Sequence, residues 1–183
     1  MPEEPLSSEE PLSPEAAVVR SELQAPARRI WQAKVITVSQ SVHAGSRADG
    51  SGSALQEQLE ADGFEVVERV VSPDGAEQVA AALRDAVEGF HGLVLTTGGT
   101  GFSPTDLTPE GTRAVLEREA PGLAEAARAV SPLGRLSRGV AGTVGAALVI
   151  NLPGSPRGAL ESLAAVRDVL PHALELLGGH SPH

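Results

Sequence analysis

A run of threonines and glycines is the segment of this sequence with the clearest capacity for chemistry. Residues 96–102 read TTGGTGF and directly follow a short apolar stretch that is typical of a buried strand. Glycines let the backbone approach a ligand and turn its N–H groups inward, and threonine hydroxyls add further donors. We name residues 96–102 the glycine loop and expect it to bind phosphate. The alternative is a glycine-rich turn that binds no ligand.

The glycine loop matches neither of two familiar phosphate motifs. No Gly-Lys-Ser/Thr follows it, as a P-loop requires, and Pro104 stands where a dinucleotide fingerprint requires glycine. Lys34 is the only lysine of the chain, so we expect an anion to be held by backbone N–H groups, hydroxyls and a metal ion. The residues expected at the phosphate are Thr97, Gly98, Gly99, Thr100 and Gly101, with Ser39 from the polar loop after the first strand.

Two aspartates follow predicted strands and could share one cation. Asp106 comes just after the glycine loop, and Asp74 follows the second predicted strand. Magnesium binds through one or two carboxylates together with substrate phosphates, so we expect Asp74 and Asp106 to hold Mg²⁺. Either acid alone could instead be a helix cap or a turn former.

A second candidate anion site lies at residues 151–156, which read NLPGSP. This segment leaves a predicted buried strand and enters a predicted helix, whose first-turn N–H groups attract anions. A tight turn followed by a serine cap accounts for the same residues without a ligand.

Strands alternate with helices along the chain. Strands are predicted at residues 33–38, 64–70, 92–96 and 146–150, and helices at 53–61, 74–88, 108–119, 123–130, 155–166 and 171–178. This alternation indicates an α/β fold in which helices cover both faces of a mostly parallel sheet. Ligands of such sheets bind beyond the carboxyl ends of the strands, where the polar loops of this sequence should converge.

Composition and charge narrow the classes of protein to which this chain can belong. The 183-residue chain has a formal charge of −10, which argues against binding to nucleic-acid backbones or anionic membranes. Cysteine is absent, and no apolar run approaches the roughly 20 residues of a membrane helix. We expect a cytoplasmic protein with one domain at residues 30–179. Residues 1–29, rich in proline and glutamate, are expected to be a disordered tail, and residues 180–183 a flexible end.

Several segments together resemble the Mog/MoaB family, which includes the G domains of gephyrin-type molybdenum-cofactor proteins. The similarity spans roughly residues 33–178, and its most specific segments are TTGGTG at 96–101, DLTPE at 106–110, PGL at 121–123, LSR at 136–138 and NLPGSP at 151–156. One departure is Gln40, where the family usually has aspartate.

The resemblance implies a three-layer α/β/α subunit, usually trimeric, that transfers AMP from ATP to the terminal phosphate of molybdopterin. It assigns Asp74 and Asp106 to the family's two functional aspartates, and the glycine loop to the nucleotide and its phosphates. The positions that resemble the pterin side are Ser131, Asn151, Pro153, Gly154 and Ser155. The alternative is a non-catalytic module that binds molybdopterin and presents it to a molybdenum-insertion partner protein.

Removal of residues 1–29 tests the expected domain boundary. Because these residues contain few side chains able to anchor a core, truncation should leave the thermal midpoint of unfolding nearly unchanged. Calorimetry of the full chain and of residues 30–183 makes this comparison, and a large loss of stability would show that the segment is structural.

Overall fold

The computed structural model describes residues 30–179 as an α/β domain built on one six-stranded sheet. The expectations for residues 1–29 and 180–183 lie outside the described residues. The strands are β1 (Trp31–Val38), β2 (Phe64–Ser72), β3 (Leu93–Thr97), β4 (Arg118–Glu119), β5 (Ala141–Val144) and β6 (Ala147–Leu152). Their order across the sheet is β2-β1-β3-β6-β5-β4.

Seven α-helices and one 3₁₀ helix accompany the sheet within residues 30–179. The α-helices are α1 (Gln40–His43), α2 (Gly50–Ala61), α3 (Ala76–Val87), α4 (Thr108–Arg113), α5 (Pro121–Ala129), α6 (Pro156–Ala164) and α7 (Leu170–Leu177). The 3₁₀ helix spans Pro132–Leu136.

Side-chain alternation along the strands divides the core between the two faces of the sheet. On β1, Ala33 and Val35 belong to the cluster that contains Leu55 of α2, together with residues of α5, α6 and α7. Ile36 and Val38 point to the opposite face, where the core includes residues of α3. Helices therefore cover both faces, which confirms the predicted α/β fold with a mostly parallel sheet.

The parallel pairing of β2, β1, β3 and β6 brings four strand ends to one edge. In this register Thr37 pairs with Thr97, and Thr97 pairs with Leu152. The loops that follow β1, β3 and β6 therefore start side by side, as expected for a ligand site of a parallel sheet.

The side of the sheet formed by β5 and β4 differs from the sequence prediction. The predicted helix 108–119 ends at Arg113 in the structure, and Arg118–Glu119 instead pairs antiparallel with β5, which was not predicted. β5 is short and contains Gly142, where a Cβ atom would collide with the Arg118 carbonyl oxygen. Tertiary pairing thus overrides the weak local preference of these residues. Among residues 30–179 no helix is long and apolar enough to cross a membrane.

Candidate active site

Hydrogen bonds join the glycine loop to the turn after β6. The Thr97 hydroxyl donates to the Pro153 carbonyl at 2.7 Å, and the Gly98 amide donates to the Leu152 carbonyl at 3.1 Å. The backbones are also in close contact, since a Cβ atom on Gly154 would lie 3.1 Å from the Gly98 Cα. The two candidate anion-binding segments of the sequence therefore form one structural unit.

Two glycines of the loop have conformations that other residues rarely adopt. Gly98 has a φ of 104° and Gly99 a φ of 63°. A Cβ atom at Gly98 would also collide with the Val38 carbonyl oxygen of β1. Glycine is needed at these positions because the loop turns sharply while it stays against its neighbours.

The backbone carbonyls of residues 98–101 all accept hydrogen bonds from two residues. Thr108 donates to the first two of them, from its hydroxyl at 2.8 Å and from its amide at 3.0 Å. Arg138 donates to the third and fourth, from its amide at 2.7 Å and from its Nε at 2.7 Å.

Most of the backbone amides in this part of the loop, in contrast, have no hydrogen-bond partner. Within residues 30–179, no hydrogen bond uses the backbone N–H groups of residues 99–102. Consecutive free amides are the donors of an anion-binding nest, and their carbonyls would otherwise repel an anion. The loop is thus arranged to receive a negatively charged group.

Arg138 makes further contacts through the rest of its guanidinium group. Nη2 donates to the Asp106 carbonyl, and Nη1 forms an ion pair with Glu110 of α4. The hydrogen bond from Arg138 lowers the pKa of Glu110 below its usual range. Arg138 was noted in the sequence only as part of the LSR segment, and its contacts with the glycine loop were not predicted.

A polar cavity of about 370 Å³ lies over the carboxyl ends of β1 and β3. Gly98 and Gly99 line it together with Ser39, Asp74 and Asp106, so the structure brings these predicted residues together. Thr97 also reaches this cavity, whereas Thr100 and Gly101 line a neighbouring one.

Both predicted aspartates keep one carboxylate oxygen available. Oδ2 of Asp74 accepts from the Gln40 amide at 3.2 Å, and Oδ2 of Asp106 accepts from the Ser103 amide at 2.9 Å. Neither Oδ1 atom has a hydrogen-bond partner among the described residues. The part of the chain that the structure describes contains no group of three or more acidic, histidine or cysteine side chains suited to a metal. A cation here would need ligands from a bound molecule as well.

Asp49 is a third carboxylate of the polar cavity, and no role was predicted for it. It accepts hydrogen bonds from the Thr37 hydroxyl at 3.0 Å and from the Gly52 amide at 2.9 Å, and it pairs with Arg69 at 2.8 Å. A Cβ atom on Gly52 would collide with this carboxylate. The charge of Asp49 is therefore neutralised within the fold, where it caps α2.

Arg47 is a second residue of the polar cavity that was not predicted. It is exposed and is the only basic side chain among the described residues that line this cavity. No ion pair engages it in the described part of the chain. Its charge is available to an anionic ligand.

A less polar cavity of about 490 Å³ lies on the other side of the glycine loop. Thr100, Gly101, Ser131, Pro153 and Ser155 line it. Exposed apolar side chains also line it: Leu133 and Leu136 of the 3₁₀ helix, and Val130, which follows α5. Ser131 caps the 3₁₀ helix by accepting from the Gly134 amide at 3.1 Å. Ser155 lines both cavities, so they adjoin at the start of α6.

Asn151 lies away from both cavities. Its side chain is buried on the α4 side of the sheet, where Nδ2 donates at 2.9 Å to each of the Thr96 and Thr112 hydroxyls. Oδ1 accepts from the Val140 amide at 3.1 Å. Successive side chains of β6 point to opposite faces of the sheet, so Leu152 faces the side opposite to Asn151. The turn that lines the cavities begins only after Leu152.

Comparison with known proteins shows to which family this chain belongs. Residues 34–175 match the MoCF_biosynth family, which is described as a probable molybdopterin binding domain. The chain belongs to this family. The molybdopterin adenylyltransferase of Haemophilus influenzae is 36% identical over 166 residues, covering 79% of this chain and 83% of that protein. The molybdenum cofactor synthesis protein cinnamon of Drosophila melanogaster is 37% identical over 152 residues, but this chain covers only 25% of its length.

Solved structures of family members have the same fold. The MoaB protein of Thermus thermophilus aligns with a TM-score of 0.77 at 47% identity, covering 82% of this chain and 98% of that one. The Mog protein of Mycobacterium ulcerans aligns with a TM-score of 0.76 at 43% identity, covering 82% and 99%. These comparisons confirm the resemblance to Mog/MoaB proteins that the sequence motifs indicated.

Substitution of Asn151 by alanine separates a structural role from a ligand contact. The change leaves the Val140 amide and two hydroxyls without their buried partner, so the free energy of unfolding should fall by about 2 to 4 kcal/mol. Gln32→Ala removes an exposed side-chain amide from β1 and serves as the control, with little expected effect. Urea unfolding measures both. If Asn151→Ala is as stable as the wild type yet loses molybdopterin binding, the residue contacts the ligand.

Proposed function

We propose that this chain is a molybdopterin adenylyltransferase that transfers AMP from ATP to the terminal phosphate of molybdopterin and releases pyrophosphate. The observation that carries the proposal is the junction of two cavities at Ser155, with the free amides of the glycine loop between them. A transfer reaction requires two ligands with their reacting atoms in contact, and adjoining cavities meet this requirement. Relatives named molybdopterin adenylyltransferase, matched over most of their length, support the assignment.

The nucleotide phosphates belong in the polar cavity. Gly99 lines this cavity, so its free amide donates to a phosphate oxygen there. Thr100 and Gly101, whose amides are also free, line the neighbouring cavity. Arg47 adds a positive charge to the polar cavity that no described residue neutralises. Ser39 lines the same cavity and contributes a hydroxyl. Phosphoryl chemistry depends mainly on such positioning and on stabilising spread negative charge.

Asp74 and Asp106 fit a magnesium ion that arrives with ATP. Each has one carboxylate oxygen without a described partner, and both line the cavity assigned to the phosphates. Magnesium takes one or two carboxylates and completes its coordination with phosphate oxygens and water. When bound, the ion would neutralise charge on the phosphates and on the departing pyrophosphate.

Molybdopterin belongs in the second cavity. The lining of Ser131, Pro153, Gly101 and the apolar side chains of the 3₁₀ helix suits a flat heterocycle. In the first turn of α6, the Arg157 amide has no partner among the described residues and is available to the molybdopterin phosphate. A molybdopterin phosphate oxygen would attack the α-phosphorus of ATP. The new bond joins that oxygen to the α-phosphorus, and the bond to the β-phosphate bridging oxygen breaks as pyrophosphate leaves.

A binding module without catalysis is the second candidate. The match to only 25% of the length of cinnamon and of Dictyostelium gephyrin shows that this domain also occurs within larger proteins. Such a domain could present molybdopterin to a molybdenum-insertion partner. Molybdopterin binding without ATP-dependent pyrophosphate release would favour this role.

Asp106→Asn tests the proposed mechanism. Asparagine keeps the size and much of the hydrogen bonding, so folding should persist while the charge is lost. Adenylyl transfer should fall by about 10² to 10⁴, or about 3 to 5 kcal/mol of transition-state stabilisation. ATP- and molybdopterin-dependent pyrophosphate release measures this loss, and molybdopterin binding should survive. Near-normal magnesium-dependent turnover of Asp106→Asn would contradict the mechanism and would show that Asp106 has only a structural role.

Two further variants control this experiment. Asp85→Asn removes an exposed carboxylate of α3 outside both cavities, and should leave turnover unchanged. Asp74→Asn should resemble Asp106→Asn. The double variant should lose less than the sum of the two, because both acids would serve one ion.

A homotrimer in the cytoplasm is part of the proposal and rests on the resemblance to Mog/MoaB proteins. Multi-angle light scattering of the purified chain at micromolar concentration should give three times the monomer mass, as a closed three-fold assembly requires. A monomeric mass would contradict the assembly and leave the site unaffected.

A further inference from the structure

We infer that Arg138 is a positioning residue that holds the glycine loop in its anion-binding conformation, and this inference rests on the proposed function of that loop. Arg138 lines neither of the two cavities formed by the described residues. It therefore acts on a ligand through the loop and not by direct contact.

The contacts of Arg138 connect both ends of one loop segment. Its Nε donates to Gly101 and its Nη2 to Asp106, so one guanidinium group joins the first and last residues of segment 101–106. Its backbone amide holds Thr100, and Nη1 pairs with Glu110. The side chain thus fixes the loop, the backbone that carries the Asp106 carboxylate, and α4 in one arrangement.

Peptide flips are the motion that these contacts oppose. In a glycine-rich loop a peptide unit can rotate at little steric cost, which exchanges an inward N–H for an inward carbonyl. An inward carbonyl would repel phosphate. The Arg138 guanidinium group holds the Gly101 carbonyl, so rotation of the peptide unit between Gly101 and Phe102 would break a charge-assisted hydrogen bond. The Thr100 carbonyl is held by the Arg138 backbone amide, which side-chain substitutions retain.

The charge of Arg138 is largely committed within the fold. Glu110 accepts from the guanidinium group, and the hydrogen bond lowers the pKa of Glu110, which keeps that carboxylate ionised. A planar fork with several donors is needed to reach the Gly101, Asp106 and Glu110 oxygens at once. Lysine presents a single ammonium group and cannot match this geometry.

The test measures binding of inorganic tripolyphosphate with magnesium by titration calorimetry. Arg138→Ala should weaken binding by about ten-fold to a hundred-fold, because the loop then samples flipped peptides. Arg138→Lys keeps the positive charge and should still lose most of this affinity. Arg135→Ala, an exposed arginine outside both cavities and three residues away, should bind as the wild type does.

Two readouts separate loop geometry from general damage to the fold. Hydrogen exchange should accelerate chiefly at residues 98–106 and in α4 in Arg138→Ala, while exchange of the amides of β1, β3 and β6 stays near that of Arg135→Ala. Methylguanidinium at millimolar concentration should restore part of the affinity, because the Arg138 side chain is 30% exposed and its site is open to solvent. If Arg138→Ala does not fold, Arg138→Lys provides the same comparison.

Failure of this inference is distinct from failure of the proposed function. Suppose that Arg138→Ala and Arg138→Lys both bind tripolyphosphate as tightly as the wild type does, and that the wild type releases pyrophosphate. Arg138 then has no positioning role, and the proposed function stands. If the wild type binds tripolyphosphate in an Arg138-dependent way but never releases pyrophosphate from ATP and molybdopterin, the positioning role stands and the transferase proposal fails.

Discussion

The site depends on one property of the glycine loop: the carbonyls of residues 98–101 accept hydrogen bonds within the fold, whereas the amides of residues 99–102 are free. Thr108 and Arg138 together occupy the carbonyls of residues 98–101, while the N–H groups of residues 99–102 have no acceptor among the described residues. A chain with a net charge of −10 needs such local donors to bind a polyanion, because its overall field repels one. Arg47, uncommitted at the edge of the polar cavity, adds the only local positive charge there within the described residues.

The sheet makes this arrangement possible. Parallel pairing of β1, β3 and β6 places three loops at one edge, and the close approach of Gly98 to both Val38 and Gly154 locks them together. The two cavities then lie on either side of the glycine loop, with Ser155 common to both. This geometry allows two anionic ligands to meet while each keeps its own set of donors.

Local sequence patterns predicted the parts of the fold that depend on local preference. The apolar runs of β1, β3 and β6, the glycine loop and the positions of Asp74 and Asp106 followed from residue types and the order of elements. The antiparallel pair of β4 and β5 did not, because two- and four-residue strands owe their existence to pairing with each other and with β6.

Side-chain contacts between residues far apart in the sequence could likewise not be predicted from local sequence patterns. Arg138 reaches Gly101 across 37 positions of sequence, and nothing in its own segment indicates this contact. Asn151 was assigned to the pterin side by resemblance, yet side-chain alternation on β6 turns it into a buried network with Thr96 and Thr112. No role of Asp49 was predicted, because its pairing with Arg69 of β2 arises only in the fold.

A crystal structure with magnesium and α,β-methylene-ATP, which cannot transfer AMP, tests the central claim most directly. The phosphate oxygens should accept a hydrogen bond from the Gly99 amide in the polar cavity, with the metal held by the carboxylates of Asp74 and Asp106, and the α-phosphate should lie beside Ser155, where the two cavities adjoin. A nucleotide bound elsewhere, or phosphates that leave the Gly99 amide without a partner, would contradict the claim.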